Sequence, residues 1–266
     1  MKPLAVFLRH AAIGVLLFVI AGGALTHRAS AQVPDSILNE DPATVTAAPI
    51  PDRVEGLNRA VFKFNDGFYR VAWRPLSRGY VKVVPRPARR GIGNFSRNLG
   101  YPTRLAGNLL SGRGRAALKE TGRFLVNITA GLGGFLAVAN DIPKLQTSES
   151  DLGVAFTTWG AGHGTYVVLP IVGPTSLRDG IGDAISGIFL APTQYLSEWE
   201  YRATAAGLDA VNQSPEAMRT YDHLKSAAID PYVALRDAFS ARRAQQMRDQ
   251  TLTGASPAVP ARTATP

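Results

Sequence analysis

The sequence predicts a mainly α, single-domain fold with little or no β structure. Three observations carry that prediction. Apolar residues Leu57, Val61, Phe64, Phe68 and Val71 step by four, three, four and three, as one face of a helix requires. Prolines stand where helices start or stop, at 75, 87 and 102. Only the run Tyr166-Val167-Val168-Leu169-Pro170 reads as extended.

Taken in order, the first helix is predicted over Val54–Trp73, with Pro75 breaking or restarting it. A second opens at Pro87, carries Ile92, Phe95 and Leu99 on its inner face, and closes at Tyr101-Pro102. Helical patterns follow over Thr103–Leu110 and Ala116–Ile128. Thr175-Ser176-Leu177-Arg178-Asp179 then places Ser and Asp at capping-box spacing, opening a helix with Ile181, Ile185 and Ile188. Further helices are predicted at Ser197–Val211, Pro215–Ala227 and Asp230–Gln250. The first helix is apolar on more than one face, because Phe62, Tyr69, Ala72 and Trp73 add to the stripe. A helix deep in a core has that pattern, and so does one with lipid on one side and protein on the other.

The chain of 266 residues is 45% hydrophobic, with 29 Lys+Arg, 20 Asp+Glu and no cysteine. Its apolar content suffices for a core, which excludes disorder of the whole chain. The missing thiol excludes disulfides, Cys-ligated metal and a cysteine nucleophile. Residues 1–31 read as a cleavable signal peptide: Lys2 and Arg9 flank the apolar run Ala11–Leu25, and Ala29-Ser30-Ala31 offers a cleavage site. That run is 15 residues, short of the roughly 20 that span a bilayer. The mature chain from Gln32 keeps a net charge of +6 and two histidines, His163 and His223. Residues 32–51 form a linker and 251–266 a Pro/Ala/Thr tail, both too poor in apolar residues to order by themselves, so the folded domain is predicted over 52–250.

Charge is concentrated. Between Arg70 and Arg123 there are thirteen Lys/Arg residues against one acid, Glu120. A solvated face would carry interspersed acids, so the block points to polyanions. After export these are phospholipid head groups or acidic protein surfaces, not nucleic acid. Arg70, Arg74 and Arg78 fall at i, i+4 and i+8 and share one edge if Pro75 does not rotate the helix. Together with Arg89 and Arg90 they are the candidate head-group contacts. Gly160-Ala161-Gly162-His163-Gly164 runs into an extended segment rather than a helix, so it fails as a dinucleotide loop and reads as a hinge. Catalytic sets are scarce. Neither histidine has a nucleophile setting, Asp179/Asp183 and Glu198/Glu200 read as a cap and a solvated face, and no metal constellation or cofactor motif appears.

The ordered motifs Asp52-Arg53-Val54-Glu55-Gly56-Leu57-Asn58-Arg59, Phe62-Lys63-Phe64-Asn65, Arg74-Pro75, Val84-Pro85-Arg86-Pro87, Arg123-Phe124-Leu125-Val126-Asn127, Gly131-Leu132-Gly133-Gly134-Phe135, Leu169-Pro170, Gly173-Pro174, Leu177-Arg178-Asp179 and Asp230-Pro231-Tyr232 closely resemble the MlaA/VacJ family over about residues 52–240. The resemblance implies an all-helical ring lying in the outer membrane on its periplasmic side, with an amphipathic central channel. It implies removal of mislocalised phospholipid from the outer leaflet to a soluble periplasmic carrier, docking against a trimeric porin, and no enzymatic activity. On that likeness Asn58, Phe62, Phe64 and Asn65 belong to the ring and channel, and Gly160, Gly162 and Gly164 flex a loop at its mouth. The family's members are lipoproteins acylated at a cysteine. This sequence has none, which leaves membrane attachment to the helix faces. An envelope adaptor binding acidic partners through residues 70–123 is the alternative, and a periplasmic hydrolase using His163 or Asp222–His223 a third reading.

Overall fold

The computed structural model describes residues 49–147, 149–192 and 199–253. The signal peptide, most of the linker and tail, and the start predicted at Ser197 lie outside them. Two domain boundaries move. Ile50 is buried in the core, so the folded unit begins before Asp52, and the last helix runs to Thr253 rather than Gln250.

Helix α1, Glu55–Phe68, passes through a π turn at Tyr69–Trp73 into α2, Arg74–Val83. In the wide turn the Arg74 N–H reaches the Tyr69 carbonyl, and Pro75, which has no N–H to give, sits in the first turn of the restarted helix. Helix α3 spans Arg86–Leu99 and α4 spans Tyr101–Leu110, so Tyr101 and Pro102, expected only to close the preceding helix, form the first turn of the next. Helix α5, Gly114–Thr129, packs on α4. Glu120, the single acid of the basic block, is buried there and accepts from Arg104 at 2.9 Å, so it joins two helices instead of balancing a surface. Short 3-10 turns then lead to α6, Leu152–Thr158, capped by the Asp151 carboxylate, which accepts from the Val154 N–H.

The extended run has a partner that the sequence reading missed. Strand β1, Tyr166–Leu169, pairs antiparallel with β2, Gly173–Ser176, and the Tyr166 N–H also donates to the Pro51 carbonyl. Ser176 ends β2 and caps α7, Leu177–Ile185, accepting from the Asp179 N–H at 3.2 Å. The Asp179 carboxylate does not complete the capping box. It is drawn to Arg178 and Arg243 instead. A second π turn, Ser186–Leu190, follows α7.

Helix α8, Trp199–Ala227, runs unbroken through Pro215, where two helices were predicted. The carbonyl of Val211, left without its usual donor by the proline, accepts from the Ser214 hydroxyl at 2.7 Å. Helix α9, Pro231–Thr253, is the last described element. The apolar core is small: Ile50, Tyr166, Val168, Tyr232 and Phe239, joined by Val61, Phe62 and Val233. Tyr166 meets Tyr232 and Phe239 edge-to-face at 6.2 and 5.9 Å. It binds the hairpin to α1 and α9.

Candidate functional site

A cavity of about 1060 Å³ lies between α3, α4, α7, α8, α9 and the hairpin. Among the described residues its wall carries eight arginines and seven carboxylates, with Leu169, Val172, Pro174 and Phe239 as an apolar strip. On α3 the wall residues Arg86, Arg89, Arg90, Gly93 and Arg97 recur at three- and four-residue steps, so they form one face. The opposite, apolar side of α3 stacks Phe95 on Phe135 at 5.0 Å. The inner face of this helix is therefore its charged one, the reverse of the usual rule. Across from it, α8 presents Asp209, Asn212, Gln213, Glu216 and Thr220 with the same spacing. Asn212 fastens the two stripes: its amide donates to the Arg89 carbonyl at 3.1 Å and its oxygen accepts from Tyr80 Oη at 2.7 Å.

The polar interior has its counterpart outside. Among the described residues, buried polar or charged residues number seventeen and buried hydrophobic ones fourteen. Twenty-three large hydrophobics among the described residues are exposed, including Val71 and Val83 at 81%, Leu118 at 74% and Leu132 at 72%. A water-soluble monomer of this size buries such residues in preference to polar ones. No helix among the described residues is long and apolar enough to cross a membrane.

Where α6, α7 and α9 meet the wall, charge is paired. Arg243 donates to Asp151 at 2.9 Å and to Asp179 at 2.8 Å, and Arg178 reaches Asp179 at 3.0 Å. All four residues are buried. Burial alone would raise the Asp179 carboxyl, but Arg243 and Arg178 outweigh it and hold the group below its ordinary range. The helices can approach this closely because of Gly153 and Gly182: a Cβ on Gly182 would stand 2.6 Å from the Gly153 nitrogen.

The residues singled out in the sequence are dispersed. Arg89 and Arg90 line the cavity; Arg70, Arg74 and Arg78 do not. The π turn shifts the phase between Arg70 and Arg74. Arg70 pairs with Asp66 at 3.3 Å and Arg74 with Asp222 at 3.0 Å, in a cluster with Tyr69, Tyr221 and Lys225 that ties α1 and α2 to α8. Asn58, Phe62, Phe64 and Asn65 all lie on α1, and none lines the cavity. Asn58 and Asn65 clamp the hairpin. The Asn58 amide donates to the Tyr166 carbonyl and its oxygen accepts from the Val168 N–H. Asn65 does the same with Leu169 and Ile171. Phe62 packs in the core against Tyr232, and Phe64 is exposed.

Gly160 and Gly164 adopt φ of +85° and +74°, which needs glycine, whereas Gly162 does not. Their loop is held by Arg178, which contacts the Ala161 carbonyl and His163 Nδ1. His163 is held below its ordinary pKa by burial and then by Arg178, and Asp222 is engaged by Tyr69 and Arg74. The α8 stripe was missed in the sequence, although the steps Asp209, Asn212, Gln213, Glu216 and Thr220 are visible there. Of the thirteen basic residues in the block, Arg86, Arg89, Arg90, Arg97 and Arg104 line the cavity.

The chain matches the family described as MlaA lipoprotein over residues 50–246. It is 33% identical over 196 residues to the intermembrane phospholipid transport system lipoprotein MlaA of Escherichia coli K12, covering 72% of this chain and 76% of that protein. It is 26% identical over 211 residues to the Haemophilus influenzae protein of the same name, covering 79% and 84%. A solved structure described as the structural basis for maintenance of bacterial outer membrane lipid asymmetry superposes with a TM-score of 0.65 at 30% identity, covering 74% of this chain and 98% of that one. By fold, motif order and sequence, the chain belongs to the MlaA lipoprotein family.

Proposed function

We propose that this protein transports phospholipid between membranes, removing mislocalised phospholipid from the outer leaflet of the outer membrane and so maintaining lipid asymmetry. The observation that carries the reading is the inversion: a charged cavity inside a helical ring whose outer faces expose Val71, Val83, Leu118 and Leu132. Apolar side chains that would destabilise a soluble protein become an energetic gain against acyl chains, at about 25 cal/mol per Å² removed from water. A polar cavity gives a head group a path that hydrocarbon denies it. The protein is exported by its signal peptide and sits on the periplasmic side of the outer membrane. With no cysteine to acylate, it holds to the membrane by these faces. It docks against a trimeric porin and delivers lipid to a soluble periplasmic carrier, as its family likeness suggests. It performs no chemistry on the lipid, and Gly160, Gly162 and Gly164 flex to let cargo pass.

Deleting the gene and complementing it with the chain tests this reading. Outer-leaflet phospholipid and detergent sensitivity should rise on deletion and return to normal on complementation; unchanged leaflet composition overturns it. A Gly162→Pro variant that folds but transfers lipid slowly supports the hinge, and normal transfer removes it.

A further inference from the structure

The wall between α3 and α8 contains charges that form no ion pair, although the second carboxylate oxygen of Asp209, Oδ2, accepts from the Gln213 amide at 2.7 Å. Among the described residues, no ion pair involves Arg86, Arg89, Arg90, Asp209 or Glu216. Two of their atoms are buried without a hydrogen-bond partner: Nε of Arg89 and Oδ1 of Asp209. Both residues line the same cavity, and Asn212 pins the Arg89 backbone beside the α8 stripe that carries Asp209. A buried donor and a buried acceptor each left unmade are costly, and here the two are of opposite charge and yet do not meet.

We propose that this wall binds a zwitterionic head group, a phosphodiester on Arg86, Arg89 and Arg90 and an ammonium on Asp209 and Glu216. The proposal rests on the phospholipid reading above and adds a head-group class to it. Guanidinium groups on one helix face suit the paired oxygens of a phosphodiester. An ammonium has only donors to offer and matches carboxylates that lack a cation. A purely anionic head group would gain the arginines but leave Asp209 and Glu216 facing negative charge. Leu169, Val172, Pro174 and Phe239, from the hairpin and α9, supply an apolar strip in the same cavity for the acyl chains. Arg219 follows Glu216 by three residues on the α8 stripe, so Asp209 is the carboxylate on which the test turns.

The full chain is incubated with vesicles of equimolar phosphatidylethanolamine and phosphatidylglycerol, recovered in detergent, and its bound lipid quantified by mass spectrometry. The wild type should carry the zwitterionic lipid in excess. Asp209→Asn should cut that preference by about tenfold, the size of one lost hydrogen bond between charged groups, with total lipid little changed. Arg89→Gln should lower both lipids together. Glu216→Gln, at an exposed position, should shift the ratio in the same direction as Asp209→Asn even if the latter folds poorly. Bound lipid in the ratio of the vesicles, or variants with the wild-type ratio, overturns the head-group assignment while leaving transport intact. Absence of bound lipid overturns the transport reading itself. A parallel arm offers labelled glycerophosphoethanolamine; its retention in preference to the lipid would assign the site to a soluble phosphodiester instead.

Discussion

The same cavity wall uses charge in two ways. Where α6, α7 and α9 meet, Arg178 and Arg243 are locked to Asp151 and Asp179 in a buried cluster. Along α3 and α8, Arg86, Arg89 and Arg90 share the wall with Asp209 and Glu216, and none of the five forms an ion pair among the described residues. A buried ion pair contributes little net stability, but each member becomes expensive if its partner leaves, so the first cluster specifies geometry. The second has given up that pairing and keeps its charges for something that enters. Substitutions in the two regions should therefore separate stability from lipid handling.

Arg243→Met should have the largest effect, about 3–5 kcal/mol, because Asp151 and Asp179 lose a shared buried cation. Thermal or denaturant unfolding measures it, and a loss below 1 kcal/mol would break the distinction between the regions. The same cluster should set the acid limb. The folded Asp179 carboxyl lies below its ordinary 3.8, so its contribution is complete above that value and is lost as pH falls through the folded pKa. Asp179→Asn should flatten stability against pH in that range, while Arg86→Gln should retain the wild-type slope; unfolding followed by circular dichroism compares them.

Gly182→Ala should cost about 1–3 kcal/mol, since its Cβ would meet the Gly153 backbone at 2.6 Å. Gly180→Ala on the same helix meets only Thr175 at 3.6 Å and should be near neutral. Equal melting temperatures for the two would show that α6 and α7 do not need their close approach. Asn65→Ala should cost about 1–2 kcal/mol through two lost hydrogen bonds to the hairpin. It should leave bound lipid unchanged if its role is a clamp, and a changed lipid content would return Asn65 to the channel. Arg86→Gln should be the mildest for stability, within about 0.5 kcal/mol, yet should lower lipid transfer between vesicles. Normal transfer would remove Arg86 from the site.

Much of the helical fold was legible in the residues alone. The four- and three-residue steps from Leu57 to Val71, the prolines at 75, 87 and 102 and the Ser176 cap each act within one or two turns, and local physics decides them. Pro215 defeated that logic because its cost depends on whether a nearby hydroxyl can serve the orphaned carbonyl, and Ser214 does. The basic block was likewise legible as charge but not as position. Whether Arg74 meets lipid or Asp222, and whether Arg89 faces solvent or a cavity beside Asn212, depends on residues some 120 to 150 positions away and on the phase set by one π turn. Periodicity says which residues share a face; only tertiary packing says what that face confronts. The sequence alone determined most of the helices, the family likeness and the excess of positive charge between Arg70 and Arg123. The tertiary structure decided that charge lines the inside and apolar residues the outside, because burial and pairing are properties of two surfaces meeting rather than of either one.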